Sequence, residues 1–196
     1  MRTRAFDEEQ ALDAAMRVFW EKGYQASSLS DLTDRMNIRK PSLYAAFGDK
    51  RELFDRALDR YMRKHAIYMQ QLLDRESKVI PAFEGLLLDL AAGGCAGDPA
   101  LGCLIVLTID ELAPSEPEWT AKAREHQLCL AGLFRDKIAG GLVSGELAPG
   151  QNAEALGNAL LTSVIGLTIM LKTMPDATFI ETTIASILTM FQQGQS

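Results

Sequence analysis

The sequence lacks several features that mark other classes of protein. No apolar run reaches 18 residues, because polar side chains interrupt even the most apolar segment, 153–171, and we therefore predict no membrane span. Aromatic residues make up only 7% of the chain and prolines number only 7, which favours helices over a β-sandwich or barrel. The N-terminus has no apolar stretch typical of a secretory signal, so we expect a cytoplasmic protein.

Cysteine and histidine are too few and too scattered to indicate a structural metal site. Cys95, Cys103 and Cys129 cannot all pair within one chain, which suits a reducing compartment. None has Cys-x-x-Cys spacing, and the two histidines, His65 and His126, lie far apart in sequence. No phosphate-binding glycine loop, Gly-x-Ser-x-Gly or His-Glu-x-x-His segment occurs. We therefore expect no metal, no cofactor and no enzymatic activity.

Charge is distributed unevenly along the chain, whose net charge is −6. Residues 1–64 hold 13 Lys and Arg against 11 Asp and Glu, whereas residues 65–196 hold 7 against 15. The acidic total argues against a protein that coats nucleic acid without specificity. It leaves two alternatives for the first segment, a small basic binding surface or an uneven but functionless surface.

The first fifty residues predict three short helices. Apolar residues at i, i+3, i+4 and i+7 indicate a helix over about 7–22, and a Ser-x-x-Asp cap at Ser28 begins a second. A three-residue turn at 37–39 follows, and Pro41 fits the first turn of a third helix, Lys40–Phe47. Two short helices around such a turn are typical of a helix-turn-helix, although a tight helical corner gives the same outline.

A specific pattern of residues accompanies this outline. It comprises Ala11-Leu12, Phe19, Gly23-Tyr24, Ser28-Leu29, Asp31-Leu32, Ile38, Pro41 to Tyr44, Phe47 to Lys50, and Leu53. It is ungapped and includes Leu-Tyr-x-x-Phe-x-x-Lys at 43–50. The pattern resembles the DNA-binding domain of TetR-family transcriptional regulators. This resemblance implies an all-α fold of about nine helices. A three-helix DNA-binding domain with its linking helix would occupy 1–64, with the helix-turn-helix at about 29–47. A helical ligand-binding and dimerisation domain would occupy 65–196.

The resemblance also assigns roles to polar residues of the first domain. Tyr44 and Lys50 match the family's phosphate contacts, the lysine being helped by a helix N-terminus. Ser28, by similarity, presents its hydroxyl and the amides of the second helix to phosphate. Each of these side chains also fits a solvated surface position.

Other residues match the positions at which the family reads bases. These are Arg39, Lys40 and Ser42, of which Arg39 or Lys40 can donate to guanine in the major groove. Many members carry Ser or Thr where Arg39 stands, so this chain lacks that helix cap. Arg2 and Arg4 form a basic arm that fits the DNA backbone or a minor groove. A solvated surface role is again the alternative.

The remainder of the chain predicts helices between Gly and Pro breaks, near 50–73, 78–92, 100–113, 117–139, 152–172 and 177–193. The segment Gly102 to Val106 with Glu111 to Ala113 and Pro117-Glu118 resembles the start of the ligand domain in one TetR subgroup. Cys103 stands at the front of that helix, where a thiol is either an inert core residue or a sensor of oxidants and electrophiles. Cys95 is its candidate resolving partner.

Two further sets of residues are predicted from the resemblance and from residue size. Residues expected around an effector cavity, or as plain core, are the large side chains Phe83, Leu87, Val106, Leu107, Trp119, His126, Phe134 and Ile165, together with the smaller Cys103. Stripes expected to form a four-helix dimer interface, or to complete the subunit's own core, are Ala155, Ala159, Ser163, Gly166, Ile180, Ile184, Ile187 and Phe191.

These observations give three functional hypotheses. The first is a homodimeric transcriptional repressor that leaves a palindromic double-stranded DNA operator when a small apolar ligand binds. The second keeps the DNA binding but replaces the ligand with thiol chemistry at Cys103. The third is a helical ligand-binding protein or enzyme that binds no DNA, and it lacks any nucleophile–base pair.

Overall fold

The computed structural model describes residues 6–113, 115–173 and 175–192. In these residues the chain forms nine α-helices and no β-strand, so the predicted all-α class is confirmed. The helices are α1 (Glu8–Lys22), α2 (Leu29–Met36), α3 (Lys40–Phe47), α4 (Lys50–Asp74), α5 (Val79–Ala91), α6 (Leu104–Leu112), α7 (Pro117–Ser144), α8 (Ala153–Leu171) and α9 (Ala177–Leu188).

Side-chain caps explain where several of these helices begin. The Asp7 carboxylate accepts two amides of the first turn of α1, at 2.9 and 3.2 Å. Asp49 and Glu52 cap α4 reciprocally, each accepting the other's amide at 2.9 Å. Asp176 accepts an amide of α9 at 2.8 Å. Local sequence therefore determines these helix starts.

The chain divides into two compact units. The first contains the described residues up to Lys64 together with Leu104–Ala123, and the second contains His65–Cys103 and the described residues from Arg124 onward. The domain boundary expected after residue 64 stays a prediction. The segment 104–123 belongs to the first unit, where its side chains bond to α4 and to the connection between α1 and α2.

The first unit has a core of aromatic rings. Phe19 of α1 meets Phe54 of α4 edge to face, with ring centroids 4.9 Å apart. Tyr24 and Trp119 each lie within 4.9 Å of that same Phe54 ring and of one another. Leu32 of α2 and Leu43 of α3 are also fully buried.

The second unit encloses its own apolar core, in which α5 packs against α8 and α9. The Phe83 ring of α5 lies 5.0 Å from the ring of Phe191 and 5.9 Å from that of Phe134. Leucine, isoleucine and valine side chains of α4, α7, α8 and α9 complete this core.

Two predicted helix bounds differ from the structure. Gly140-Gly141 does not break α7, which continues to Ser144 and is followed by Gly145 at φ +77°. A Cβ on Gly141 would lie 2.4 Å from a methyl carbon of Val79, so this glycine permits a close helix contact rather than a turn. Helix α6 begins at Leu104 instead of 100, after a turn in which the Leu101 amide donates to the Asp98 carbonyl.

Candidate DNA-binding surface

Helix α2 starts with an exposed, fully formed cap. The Ser28 hydroxyl oxygen accepts the Asp31 amide at 3.0 Å, and the Asp31 carboxylate accepts the Ser28 amide at 2.9 Å. The Lys22 ammonium, with help from Ser28, holds the pKa of Asp31 well below its usual range. Asp31 therefore remains an anion that orders the start of α2.

The turn between α2 and α3 matches the sequence prediction. Asn37 adopts φ +53°, and the Ile38 amide donates to the carbonyl of Thr33 at 3.1 Å. Arg39 stands at the N-cap of α3 and makes no side-chain cap bond, while Pro41 lies in the first turn. As predicted, α3 starts without a hydroxyl cap.

Helix α3 separates buried from exposed residues along its short length. Leu43 and Phe47 are buried, whereas half of the Tyr44 side chain is exposed to solvent. Lys40 is also exposed, and Ser42 is half-buried. One face of α3 is therefore fixed in the core, and the other presents a cation and two hydroxyls.

Lys50, the first residue of α4, lies against the connection between α1 and α2. Its ammonium sits 4.7 Å from the centre of the Tyr24 ring and 3.4 Å from the Gln25 carbonyl oxygen. Burial lowers the pKa of Lys50, and the charges of Glu111 and Asp31 act in the opposite direction. Lys50 and the capped start of α2 thus approach the same short connection, which suits binding of an anionic backbone.

A carboxylate from α6 holds that connection. Glu111 accepts the amides of Tyr24 and Gln25, at 2.8 and 2.6 Å. The partners are 87 and 86 residues away in sequence, so no local pattern could have identified Glu111. The resemblance included Glu111 without giving it a role.

Ion pairs also join α4 to the first turns of α7. The Arg51 guanidinium donates to Glu116 at 2.6 Å and to Glu118 at 3.1 Å, and lies 4.3 Å from the centre of the Trp119 ring. Lys122 donates to Asp55 at 2.6 Å and also to Asp59, its neighbour one turn along α4. These contacts occur within the first unit and fix α4 against this segment.

With this geometry established, comparisons with known proteins identify the family. The model of bacterial regulatory proteins of the tetR family matches residues 11–57. A cysteine-substituted variant of the TetR-family regulator CifR, solved with a 26-bp double-strand operator DNA, is 32% identical. The alignment covers 97% of this chain and 100% of that one, with a TM-score of 0.85.

The chain belongs to the TetR family. Among curated relatives, the Escherichia coli transcriptional repressor ComR is 28% identical over 86% of this chain and 80% of its own length. The repressor BdcR of the same organism is 41% identical over 49% of this chain and 51% of its own. The TetR-family protein described here is accordingly a DNA-binding transcriptional regulator, as the sequence predicts.

Most predicted DNA-contacting residues of this TetR-family chain lie on the α2–α4 surface. These residues are Ser28, Arg39, Lys40, Ser42, Tyr44 and Lys50, and each is exposed or half-buried. That they contact DNA stays a prediction. The predicted basic arm, Arg2 and Arg4, lies outside the described residues.

The residues predicted to line an effector cavity fall into two groups. Phe83, Leu87, Cys103, His126, Phe134 and Ile165 lie in the second unit, whereas Val106, Leu107 and Trp119 lie in the first. Trp119 is 1% exposed and belongs to the aromatic core beside Tyr24 and Phe54. Phe83, Leu87 and Phe134 are fully buried core residues of the second unit. An effector-binding role for these nine residues stays a prediction.

The structure brings together two histidines that the sequence separates. His65 of α4 and His126 of α7 are both buried, with Nδ1 of His65 2.9 Å from Nε2 of His126. Burial, with the neighbouring imidazole as a smaller cause, lowers the pKa of His65 to about 3. Burial lowers the pKa of His126 to about 4. Both rings are therefore neutral near pH 7, and one donates a hydrogen bond to the other.

The two predicted dimer stripes differ in exposure. Ile184, Ile187 and Phe191 of the α9 stripe are buried in the core of their own unit, and Ile180 is half-buried against it. Ile184, Ile187 and Phe191 therefore have little accessible surface left for contact with a partner chain. On α8, by contrast, Ala155, Ala159 and Gly166 are exposed and Ser163 is half-buried. A dimer-interface role for either stripe stays a prediction.

The cysteines give little support to thiol sensing. Cys95 is exposed in a 3₁₀ turn, Gly94–Ala96, and Cys103 is half-buried directly before α6. The comparisons with known proteins do not favour the thiol-based alternative.

Proposed function

We propose that this TetR-family protein is a cytoplasmic, homodimeric and non-enzymatic repressor that binds a palindromic operator and leaves it when a small apolar ligand binds. The observation that carries the DNA-binding half is the exposed face of α3. Lys40 and Tyr44 point away from a core that holds Leu43 and Phe47, and Lys50 lies beside the start of α2. This arrangement suits a helix inserted in the major groove between phosphate contacts.

Repression is supported by the relatives that this chain resembles. ComR and BdcR are described as transcriptional repressors, and the CifR variant was solved with operator DNA. A two-fold dimer would set two α3 helices about 34 Å apart, which is one turn of DNA. The operator is therefore expected to be a palindrome with two half-sites.

The exposed face of α8 supports dimerisation. Beside its small residues, Ile169 and Met170 are 49% and 44% exposed. By length and composition alone, α8 is apolar enough to cross a membrane, although a third of the window is buried inside the chain. We attribute the remaining apolar surface to a second copy of the chain, because small residues allow two helices to approach closely.

The second unit is the expected site of the effector. Its interior is rich in Phe, Leu and Ile, and the buried imidazoles of His65 and His126 provide polar groups there. An apolar ligand would release DNA only if it bound more tightly to the conformation of the protein that does not bind DNA. The coupling free energy between two such sites is typically about 1–3 kcal/mol.

Selection of bound fragments from genomic DNA with the purified protein tests this proposal. We expect enrichment of a palindromic sequence, and the genes beside it will indicate the chemistry of the effector. Affinity for the selected duplex should fall steeply with salt, because phosphate contacts release counterions. If no duplex is enriched even at low ionic strength, the proposed function is wrong.

A further inference from the structure

The Glu111 carboxylate binds two consecutive amides of the connection between α1 and α2. Both of its oxygens are used, one on Tyr24 at 2.8 Å and the other on Gln25 at 2.6 Å. Hydrogen bonds to a charged acceptor are about twice as strong as neutral ones. Gly23 allows this approach, since a Cβ there would lie 2.8 Å from a Glu111 oxygen and its φ is +81°.

The two residues whose amides bind Glu111 are also the two residues that the Lys50 ammonium contacts. Glu111 binds their amides, while the Tyr24 ring and the Gln25 carbonyl face the Lys50 ammonium at 4.7 and 3.4 Å. If these amides were released, the Gln25 carbonyl would be free to move away from Lys50. The Tyr24 ring would still be held by its packing on Phe54 and Trp119, so Lys50 would keep one of its two contacts. The geometry of Lys50 thus depends on a carboxylate 61 positions further along the chain.

Glu111 is poorly suited to contact DNA itself. A carboxylate repels phosphate, and Glu111 is half-buried with both oxygens engaged by the amides. Its charge also favours the charged form of Lys50. Any effect of Glu111 on DNA affinity is therefore expected to pass through the Tyr24–Gln25 connection and Lys50.

We propose that Glu111 is a positioning residue that holds Lys50 in place for its phosphate contact. The inference rests on the proposed DNA-binding function and assigns to α6 a direct role in it. Because Glu111 lies on α6, a displacement of α6 within the first unit would disturb the Tyr24–Gln25 connection that Lys50 contacts. Glu111 is thus a residue through which the DNA contact can be weakened.

A double-mutant cycle on the full chain tests the proposal. Wild type, Glu111→Gln, Lys50→Ala and the double variant are titrated with the duplex that wild type selects. Glutamine keeps one acceptor oxygen but turns an amide donor toward the second backbone amide, so it cannot replace the carboxylate. We expect Glu111→Gln and Lys50→Ala each to weaken binding about tenfold, and the double variant to bind within about twofold of Lys50→Ala alone.

Asp110→Asn is the matched control, because it makes the same change of charge at an exposed position one residue earlier. It should bind within about twofold of wild type. In Glu111→Gln, but not in the control, the salt slope should fall by about one phosphate contact per protomer. Hydrogen exchange of the Tyr24 and Gln25 amides should be faster in Glu111→Gln than in wild type, and unchanged in Asp110→Asn.

Glu111→Asp keeps the negative charge on a shorter side chain. It should lose DNA affinity to an extent between that of wild type and that of Glu111→Gln.

Three outcomes would overturn the proposal. The first is that Glu111→Gln binds the duplex as tightly as the control does. The second is that the fold-losses of affinity of Glu111→Gln and Lys50→Ala multiply in the double variant, which would make the two effects independent. The third is that wild type binds no duplex; the proposed function then fails as well, and the wild-type titration distinguishes this result from the first two.

Discussion

His65 and His126 face each other inside the second unit, with 2.9 Å between Nδ1 of the first and Nε2 of the second, although 61 residues separate them in sequence. One neutral imidazole can donate to the other, whereas two protonated rings cannot share this bond. Burial reinforces the neutral forms, since it lowers the pKa of both residues from the ordinary 6.5. The pair is therefore a buried polar link between α4 and α7.

This pair makes stability depend on pH. Between pH 6.5 and about 4 the unfolded chain binds more protons than the folded chain, because both folded pKa values lie below the ordinary value. The free energy of unfolding should therefore decrease as the pH is lowered from 6.5 to about 4, by up to about 1.4 kcal/mol per pH unit for each histidine. NMR titration of the folded protein should detect neither imidazole titrating between pH 8 and 5.5. A midpoint near 6.5 for either ring would contradict the assignment.

Adjacent glycines of α7 offer a matched test of packing. Gly141→Ala would bring a Cβ to 2.4 Å from Val79, a stiff and buried side chain, so we expect it to destabilise the fold by about 1–2 kcal/mol. Gly140→Ala meets nothing within 4 Å and should stabilise by about 0.5–1 kcal/mol through helix propensity. Denaturant unfolding of both variants measures the difference. Equal effects would mean that Val79 does not approach Gly141 in solution.

The proposed dimer contact predicts that charge on the exposed face of α8 separates the copies. Ala159→Glu leaves the core of its own chain untouched, because Ala159 is exposed. We expect this variant to be monomeric by light scattering at concentrations where wild type is dimeric. Val143→Glu, at a residue that is 91% exposed on α7, is the control and should remain dimeric. A dimeric Ala159→Glu would assign the contact to another surface.

Local sequence signals predicted the fold well where the physics is local. Ser28, Asp49 and Asp176 act as the caps that their sequence context indicates, and Asn37 adopts the positive φ expected of it. The predicted break at Gly140-Gly141 was wrong. The sequence alone does not distinguish a glycine that ends a helix from one that allows close packing of a neighbouring side chain.

The site was predictable only in part for a related reason. The outer face of α3 follows from helical spacing, so Lys40 and Tyr44 could be assigned from the sequence. Glu111 and the pair of His65 with His126 depend on contacts across more than 60 residues, which no local pattern encodes. Such long-range polar contacts become visible only when the helices are packed.

The affinity of a Lys40→Ala, Tyr44→Ala double variant for the selected duplex tests whether the exposed face of α3 binds DNA. The comparison is with wild type and with Arg63→Ala, which removes an exposed cation of α4 instead. We predict that the double variant binds at least about thirtyfold more weakly, as the loss of two contacts of about 1–3 kcal/mol each requires, while Arg63→Ala binds nearly as wild type does. Equal affinity of all three proteins would contradict the account.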